Sequence, residues 1–353
     1  MLLRPCAAAQ LPPPPTDERC GEALAAGMTA SQLAHYHEFG FVVLRSLYDA
    51  AEVEGLRAEF EHLLAHRPVE RGSAVDAHGA LVPGSARHYN FTDPVRGDDP
   101  RTFNTTKVVL NRVNDPLSFA PAIRTAYGSP KLLACASSLY GPDVVPFGQS
   151  LVLKPPHDGA GFSFHQDTGI SADFPYDWQD QRGVNFGIYL HPSTAENGCL
   201  HVVPGSQRTQ KDIATLTRDR GAMLPGAVPV PVNPGDAIVH SRNVVHGSFP
   251  NTSDTTRCTL YFGFHPHASV ASYHDEESIR DRQRQIPLAV ALRSATKPDE
   301  QPFRYRGLPR DDPVMQFCDR TLSRRWKQTG VTEAEARDFM PYFDGSKYPN
   351  LQI

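Results

Sequence analysis

The segment Gly161-Phe162-Ser163-Phe164-His165-Gln166-Asp167-Thr168-Gly169 sets a histidine and an aspartate two residues apart between glycines, after the apolar run Leu151-Val152-Leu153. In an extended strand residues i and i+2 point to the same side. An imidazole nitrogen of His165 and a carboxylate oxygen of Asp167 can therefore be offered to one point in space. The surroundings favour a strand. From Val144 onward short β-rich runs alternate with turns, over 144–153, 184–190, 200–203, 237–240, 244–247 and 258–264. Many short strands with Gly and Pro punctuation predict an antiparallel sandwich or barrel rather than a parallel sheet with crossover helices.

Helical patterns lie on both sides of this β-core. Thr29-Ala30-Ser31-Gln32 has the form of a capping box and opens a helix that stops at Gly40. Phe41 to Leu44 reads as a short strand, and Asp49 caps a helix with the apolar stripe Val53, Leu56, Phe60, Leu63 and Leu64. Ser129-Pro130 reads as a cap followed by proline at the first helical position, with the helix ending at Gly141. Helical patterning returns over 276–292, 313–327 and 332–340. The expected architecture is mostly β with flanking helices in a single domain over 28–353. It has a helical N-terminal part (28–143), a β-core (about 144–270) and a helical C-terminal extension (271–353). The run Pro12 to Pro15 excludes a helix and marks 1–27 as a disordered or polyproline lead-in. The segment 67–100, rich in Gly, Pro, Asp and His, is too long for an ordinary connection and reads as a functional loop or lid, with simple disorder as the rival reading.

Composition narrows the function. The net charge of -4 over 353 residues lacks the basic excess of a nucleic-acid binder. No apolar run approaches the roughly 20 residues that span a bilayer. The six cysteines are scattered without a C-x-x-C pair, as for free thiols in a reducing compartment. The N-terminus has too short an apolar segment for a signal peptide, and Asn350 to Ile353 is no peroxisomal signal, so the cytoplasm is expected by exclusion. The expected partner is a small-molecule substrate, with no nucleic acid and no membrane, and the expected assembly a monomer or homodimer.

A third ligand for His165 and Asp167 is supplied best by His246, in Val244-Val245-His246-Gly247-Ser248. Two histidines and one carboxylate on one face suit non-haem iron(II) with open positions for substrate chemistry. Arg257 lies eleven residues after His246, past a turn-rich stretch. That spacing fits a hairpin-like return that brings the guanidinium near the metal on an adjacent strand. An arginine fork binds a carboxylate bidentately, and Ser248 can add a hydroxyl to the same group. Among the 15 histidines, His240 and His265 are the nearest competitors, but neither has the His-x-Ser context with arginine eleven residues on.

With these residues in this order, the sequence resembles the phytanoyl-CoA dioxygenase family of iron(II)- and 2-oxoglutarate-dependent oxygenases. Leu153-Lys154-Pro155-Pro156 and Asn197 to Ser206 add further matches, and the likeness runs over roughly residues 28–265. The resemblance implies a double-stranded β-helix (jelly roll, cupin-like) core, with His165, Asp167 and His246 as both the catalytic centre and the metal ligands. It implies that Arg257 and Ser248 hold the 5-carboxylate of 2-oxoglutarate, and that Lys107 sits where some members place a further co-substrate lysine. The cofactors implied are Fe(II), 2-oxoglutarate as co-substrate and O2, with ascorbate as a candidate activator. Related halogenases lack the carboxylate ligand, so Asp167 argues for hydroxylation over halogenation. The expected reaction is hydroxylation of an unactivated C–H bond of a specialised metabolite, an amino-acid-like or an acyl compound, giving succinate and CO2 alongside. Desaturation, epoxidation or ring rearrangement are the alternatives within the class, and a non-catalytic jelly-roll binding protein the alternative outside it. Phe174, Tyr176 and Trp178 form either a pocket wall or core packing. Arg280, Arg282 and Arg284 lie either on solvated helix faces or at the active-site mouth.

Overall fold

Alternation of side chains along each strand builds a sandwich of two antiparallel sheets in the computed structural model, which describes residues 10–92, 102–103, 108–167, 183–212, 216, 222–272 and 274–325. The strands are β1 (Phe41–Leu44), β2 (Tyr89–Thr92), β3 (Thr102–Phe103), β4 (Val109–Asn114), β5 (Val145–Lys154), β6 (Gly161–His165), β7 (Val184–Tyr189), β8 (Leu200–Val202), β9 (Val228–Val230), β10 (Ala237–Ser241), β11 (His246–Ser248) and β12 (Arg257–His265). The helices are α1 (Ala30–Phe39), α2 (Ala50–Ala65), α3 (Pro121–Tyr127), α4 (Pro130–Tyr140), α5 (His267–Val270), α6 (Glu276–Thr296) and α7 (Pro313–Arg325). One sheet has seven strands in the order β1-β10-β7-β12-β5-β4-β2, and the other five in the order β3-β6-β11-β8-β9.

Both faces of the large sheet are buried, against different things. Val42, Leu44, Phe186, Ile188, Leu260 and Phe262 point outward and pack with Leu56 and Phe60 of α2, Leu132 and Leu133 of α4 and Ile286 of α6. Their alternates point into the sandwich. At one end Phe41, Tyr189 and Ile238 meet Leu200, Val202, Val228 and Val230 of the small sheet in an apolar plug. Further along the strands the inward positions turn polar, with His240 opposite Asn185, and this is where the site lies.

The helix signals map onto real caps. Thr29 with Gln32 and Asp49 with Glu52 each form reciprocal capping boxes, and Gly40 ends α1 at φ 82°, a left-handed position that favours glycine. Ser129 departs from expectation: proline follows it at the first helical position, but its side chain makes no capping hydrogen bond. Three elements outside the core run join the large sheet or its cover. β2 falls inside the 67–100 stretch, β4 carries polar Asn111 and Arg112 in mid-strand, and α3 has no clear apolar stripe. Residues 93–100, 332–340, Lys107, Phe174, Tyr176 and Trp178 lie outside the described residues. The five described cysteines are free thiols, and among the described residues no helix is long and apolar enough to cross a membrane.

Candidate active site

β6 and β11 are antiparallel neighbours in the small sheet, and His165 and His246 stand directly opposite each other across that pair. Their ring centroids are 4.3 Å apart. Asp167, just past the end of β6, turns back so that Oδ1 is 3.4 Å from His165 Nε2 and Oδ2 is 3.7 Å from His246 Nε2. One ligand atom from each of the three residues lies within 4.8 Å of the others. The backbone fixes this turn, because the Asp167 N–H donates to Arg242 O at 2.8 Å.

Each histidine is oriented by its own strand. His165 Nδ1 is 2.7 Å from Ser163 O and His246 Nδ1 is 3.0 Å from Val244 O. A carbonyl only accepts, so each ring carries its proton on Nδ1 and presents a bare Nε2. Burial, reinforced by His165 and His240, holds the His246 imidazole well below its ordinary pKa and therefore neutral at pH 7. Burial pushes Asp167 upward but is outweighed by His246, His165 and Arg242, so its carboxyl sits well below the usual range. Two imidazoles and one carboxylate on one side of a point are the donor set that suits ferrous iron.

Asn185 on β7 is a member of the site that sequence reasoning missed. Its Nδ2 donates to Asp167 Oδ2 at 2.8 Å and lies 3.4 Å from His240 Nε2. A lone asparagine in a β-rich run carries no motif, and its partner comes from the opposite sheet. His240 stands behind His246 at a centroid distance of 4.7 Å, with its pKa lowered by burial to about 4, and it is not among the three converging residues.

Arg257 is buried between the sheets beside Tyr189, but not by the expected route. β11 and β12 belong to different sheets, so Arg257 crosses the sandwich instead of lying on a strand adjacent to His246. The turn-rich link between them carries the chain from one sheet to the other, which strand spacing alone does not reveal. The guanidinium is buried, donates to Gly198 O and lies 5.7 Å from the Tyr189 ring centroid. Gly198 leads into β8, whose Leu200 pairs with Ser248 of β11. Opposite Arg257 on β5 is Lys154, fully buried, bonded through Nζ to Phe249 O and Ala160 O. Arg257 Nε and Thr259 Oγ1, on successive inward positions of β12, are buried polar atoms without a hydrogen-bond partner among the described residues. Such orphans suit a polar guest, and a buried guanidinium fork suits a carboxylate. Arg112 of β4 shares this inward face, in register with Val152 and through it with Thr259.

The sequence profile of the family described as Phytanoyl-CoA dioxygenase (PhyH) matches residues 36–259. Phytanoyl-CoA dioxygenase domain-containing protein 1 of Bos taurus is 26% identical over 264 residues, spanning 67% of this chain and 89% of its own. Methylphosphonate hydroxylase of Gimesia maris is 26% identical over 262 residues, spanning 73% of this chain and 87% of its own. Among solved structures, AviO1 from Streptomyces viridochromogenes Tue57 is similar with a TM-score of 0.50 and 28% identity, covering 68% of this chain and 96% of that one.

Proposed function

Because the chain belongs to the phytanoyl-CoA dioxygenase family and is a non-haem iron(II)- and 2-oxoglutarate-dependent dioxygenase, we propose that it hydroxylates an unactivated C–H bond of a small organic molecule at His165, Asp167 and His246. Iron bound there supplies the activation of O2 that couples decarboxylation of 2-oxoglutarate, to succinate and CO2, with oxidation of the substrate. The protein's own part is position. His165 and His246 turn bare Nε2 atoms inward because their Nδ1–H groups are committed to backbone carbonyls. Asp167 adds the charge, and Asn185 holds one of its oxygens so that the carboxylate keeps a single orientation. Arg257, together with Ser248 of β11, anchors the distal carboxylate of the co-substrate, both side chains being buried away from bulk water.

The observation that carries this reading is the convergence of three ligand atoms from β6, the turn after it and β11 within 4.8 Å. It is tested by loading the full chain anaerobically with iron(II) and 2-oxoglutarate, then admitting oxygen with a metabolite extract. Succinate should form only with iron present, and mass spectrometry should find a product heavier by one oxygen. A product lighter by two hydrogens would replace hydroxylation by desaturation. Tight iron binding without any succinate would favour a non-catalytic jelly roll.

A further inference from the structure

We propose that Gln166, the residue between the first two ligands, is a positioning residue that sets His246 against His165 and Asp167. It acts together with Ser206, through the backbone of Asn243 to Val245. The inference rests on the reading of the three converging residues as iron ligands and concerns what keeps them in place. His165 and Asp167 come from one segment, whereas His246 comes from β11, which is three residues long. The pairing of β11 with β6 shifts register between His246 and Ser248, so that ladder keeps one regular pair at the site.

Gln166 is fully buried, and its side-chain partners lie outside the ligand set. Nε2 donates to Asn243 O at 2.6 Å and to Thr209 O at 3.1 Å, and Oε1 accepts from the Lys211 N–H at 2.8 Å. One amide thus satisfies backbone groups of two separate loops. The next residue continues the link, since the Asp167 N–H donates to Arg242 O. Consecutive residues of the His-Gln-Asp segment are therefore bonded to consecutive carbonyls of the turn that leads into β11. That turn is gripped at its other end as well. The Val245 N–H donates to Ser206 Oγ at 2.8 Å, and Val245 O accepts from the Val203 N–H at 2.9 Å.

The peptide caught between these two grips orients the third ligand. Val244 O is the carbonyl that holds His246 Nδ1 at 3.0 Å, so a shift of Asn243 or Val245 turns the imidazole and moves its Nε2 off the point it shares with His165 and Asp167. Ser206 has a fixed base of its own. The Gly205 N–H donates to Phe39 O and Arg208 Nη2 to Glu38 O, each at 2.9 Å, at the end of α1 where helix carbonyls lack partners within the helix. Ser206 closes the motif Asn197 to Ser206, and its hydroxyl gives that end of the motif a part in holding the metal site. Glutamine suits the other grip because one planar group offers two donors and an acceptor. Methionine fills a similar volume without a donor, and an ionised glutamate of the same length brings acceptors alone.

The test compares Gln166→Met and Ser206→Ala with Asn251→Leu as control, all in the full chain. Asn251 is an equally buried amide whose Nδ2 donates to Lys154 O, Pro155 O and Thr255 O, and it shares no partner with the ligand segments. Iron(II) affinity is read by equilibrium dialysis against a weak chelator and melting temperature by circular dichroism. Amide exchange over 243–246 is read by mass spectrometry on metal-free protein. Gln166→Met and Ser206→Ala should each lose iron affinity about 10–100-fold, and the double variant less than the product of the two losses. Exchange over 243–246 should quicken about tenfold or more in both. Asn251→Leu should lower the melting temperature comparably, yet keep iron affinity within about threefold and leave exchange over 243–246 as in wild type. Iron affinity within about threefold of wild type in Gln166→Met overturns the proposal. So does an equal loss in Asn251→Leu, which would make the effect one of stability alone, and so does unchanged exchange over 243–246. Should Gln166→Met fail to fold, Ser206→Ala carries the same readouts. Wild-type protein that retains no iron counts against the iron reading, and the exchange measurement then decides by itself whether Gln166 and Ser206 hold His246.

Discussion

What separates a ligand histidine from its look-alikes is the company of its Nε2. His165, His246 and His201 all use Nδ1 on the carbonyl two residues back, at 2.7, 3.0 and 3.1 Å. Only the first two share a carboxylate, and His201 packs its ring on Phe249 instead. Sequence could choose His246 over His240 because of Ser248 and the arginine eleven residues on. It could not find Asn185, whose role exists only once the sheets face each other. The distinction is open to measurement by iron content after dialysis against a weak chelator. His246→Ala should lose more affinity than the about 10–100-fold that follows loss of an outer-shell partner, while His240→Ala stays within about tenfold of wild type. Exchanged behaviour of the two variants would move the third ligand to His240.

Elements were legible where local chemistry decides them and obscure where the opposite sheet does. The capping boxes at Thr29 and Asp49 are written in four consecutive residues each, and β5, β6 and β12 in their apolar alternation. β4 was hidden because Asn111 and Arg112 interrupt its apolar pattern, and Arg112 is polar because it lines the site's face of the sheet. The link from β11 to β12 shows the same limit, since eleven residues of spacing fit a hairpin as well as a crossing between sheets. The crossing matters for function. It places Arg257 on the sheet opposite the one that carries Ser248. Arg257→Ala should therefore raise the KM for 2-oxoglutarate by about tenfold or more, as expected for a lost charge-assisted hydrogen bond, and leave the iron Kd within about threefold. Equal losses in both would show that the arginine supports the metal site and not the co-substrate.

At the scale of the whole molecule, one carboxylate joins the helices that brace the outer face of the large sheet. Glu52 of α2 completes the Asp49 capping box, accepts from Arg293 of α6 at 2.6 Å and lies 3.3 Å from Lys131 of α4. Arg293 and Lys131 are themselves buried, so both depend on this acid and on Glu300 and Glu22 for charge balance. Burial alone would push Glu52 upward, but the Asp49 N–H, Arg293 and Lys131 outweigh it and bring the carboxyl down to about 2. A carboxylate depressed in the folded state stabilises the fold above its unfolded pKa of roughly 4.3 and ceases to do so as pH falls toward its folded value. The melting temperature should accordingly drop between pH 4.5 and pH 2 beyond what surface carboxylates produce. Glu52→Gln leaves two buried cations short of a counter-charge and should cost about 3 kcal/mol at pH 7. The same variant should show a flatter acid limb, since the group that titrates there is gone. An acid limb as steep in Glu52→Gln as in wild type would place the pH-sensitive brace elsewhere, with Asp76 as the next carboxyl held down at about 2.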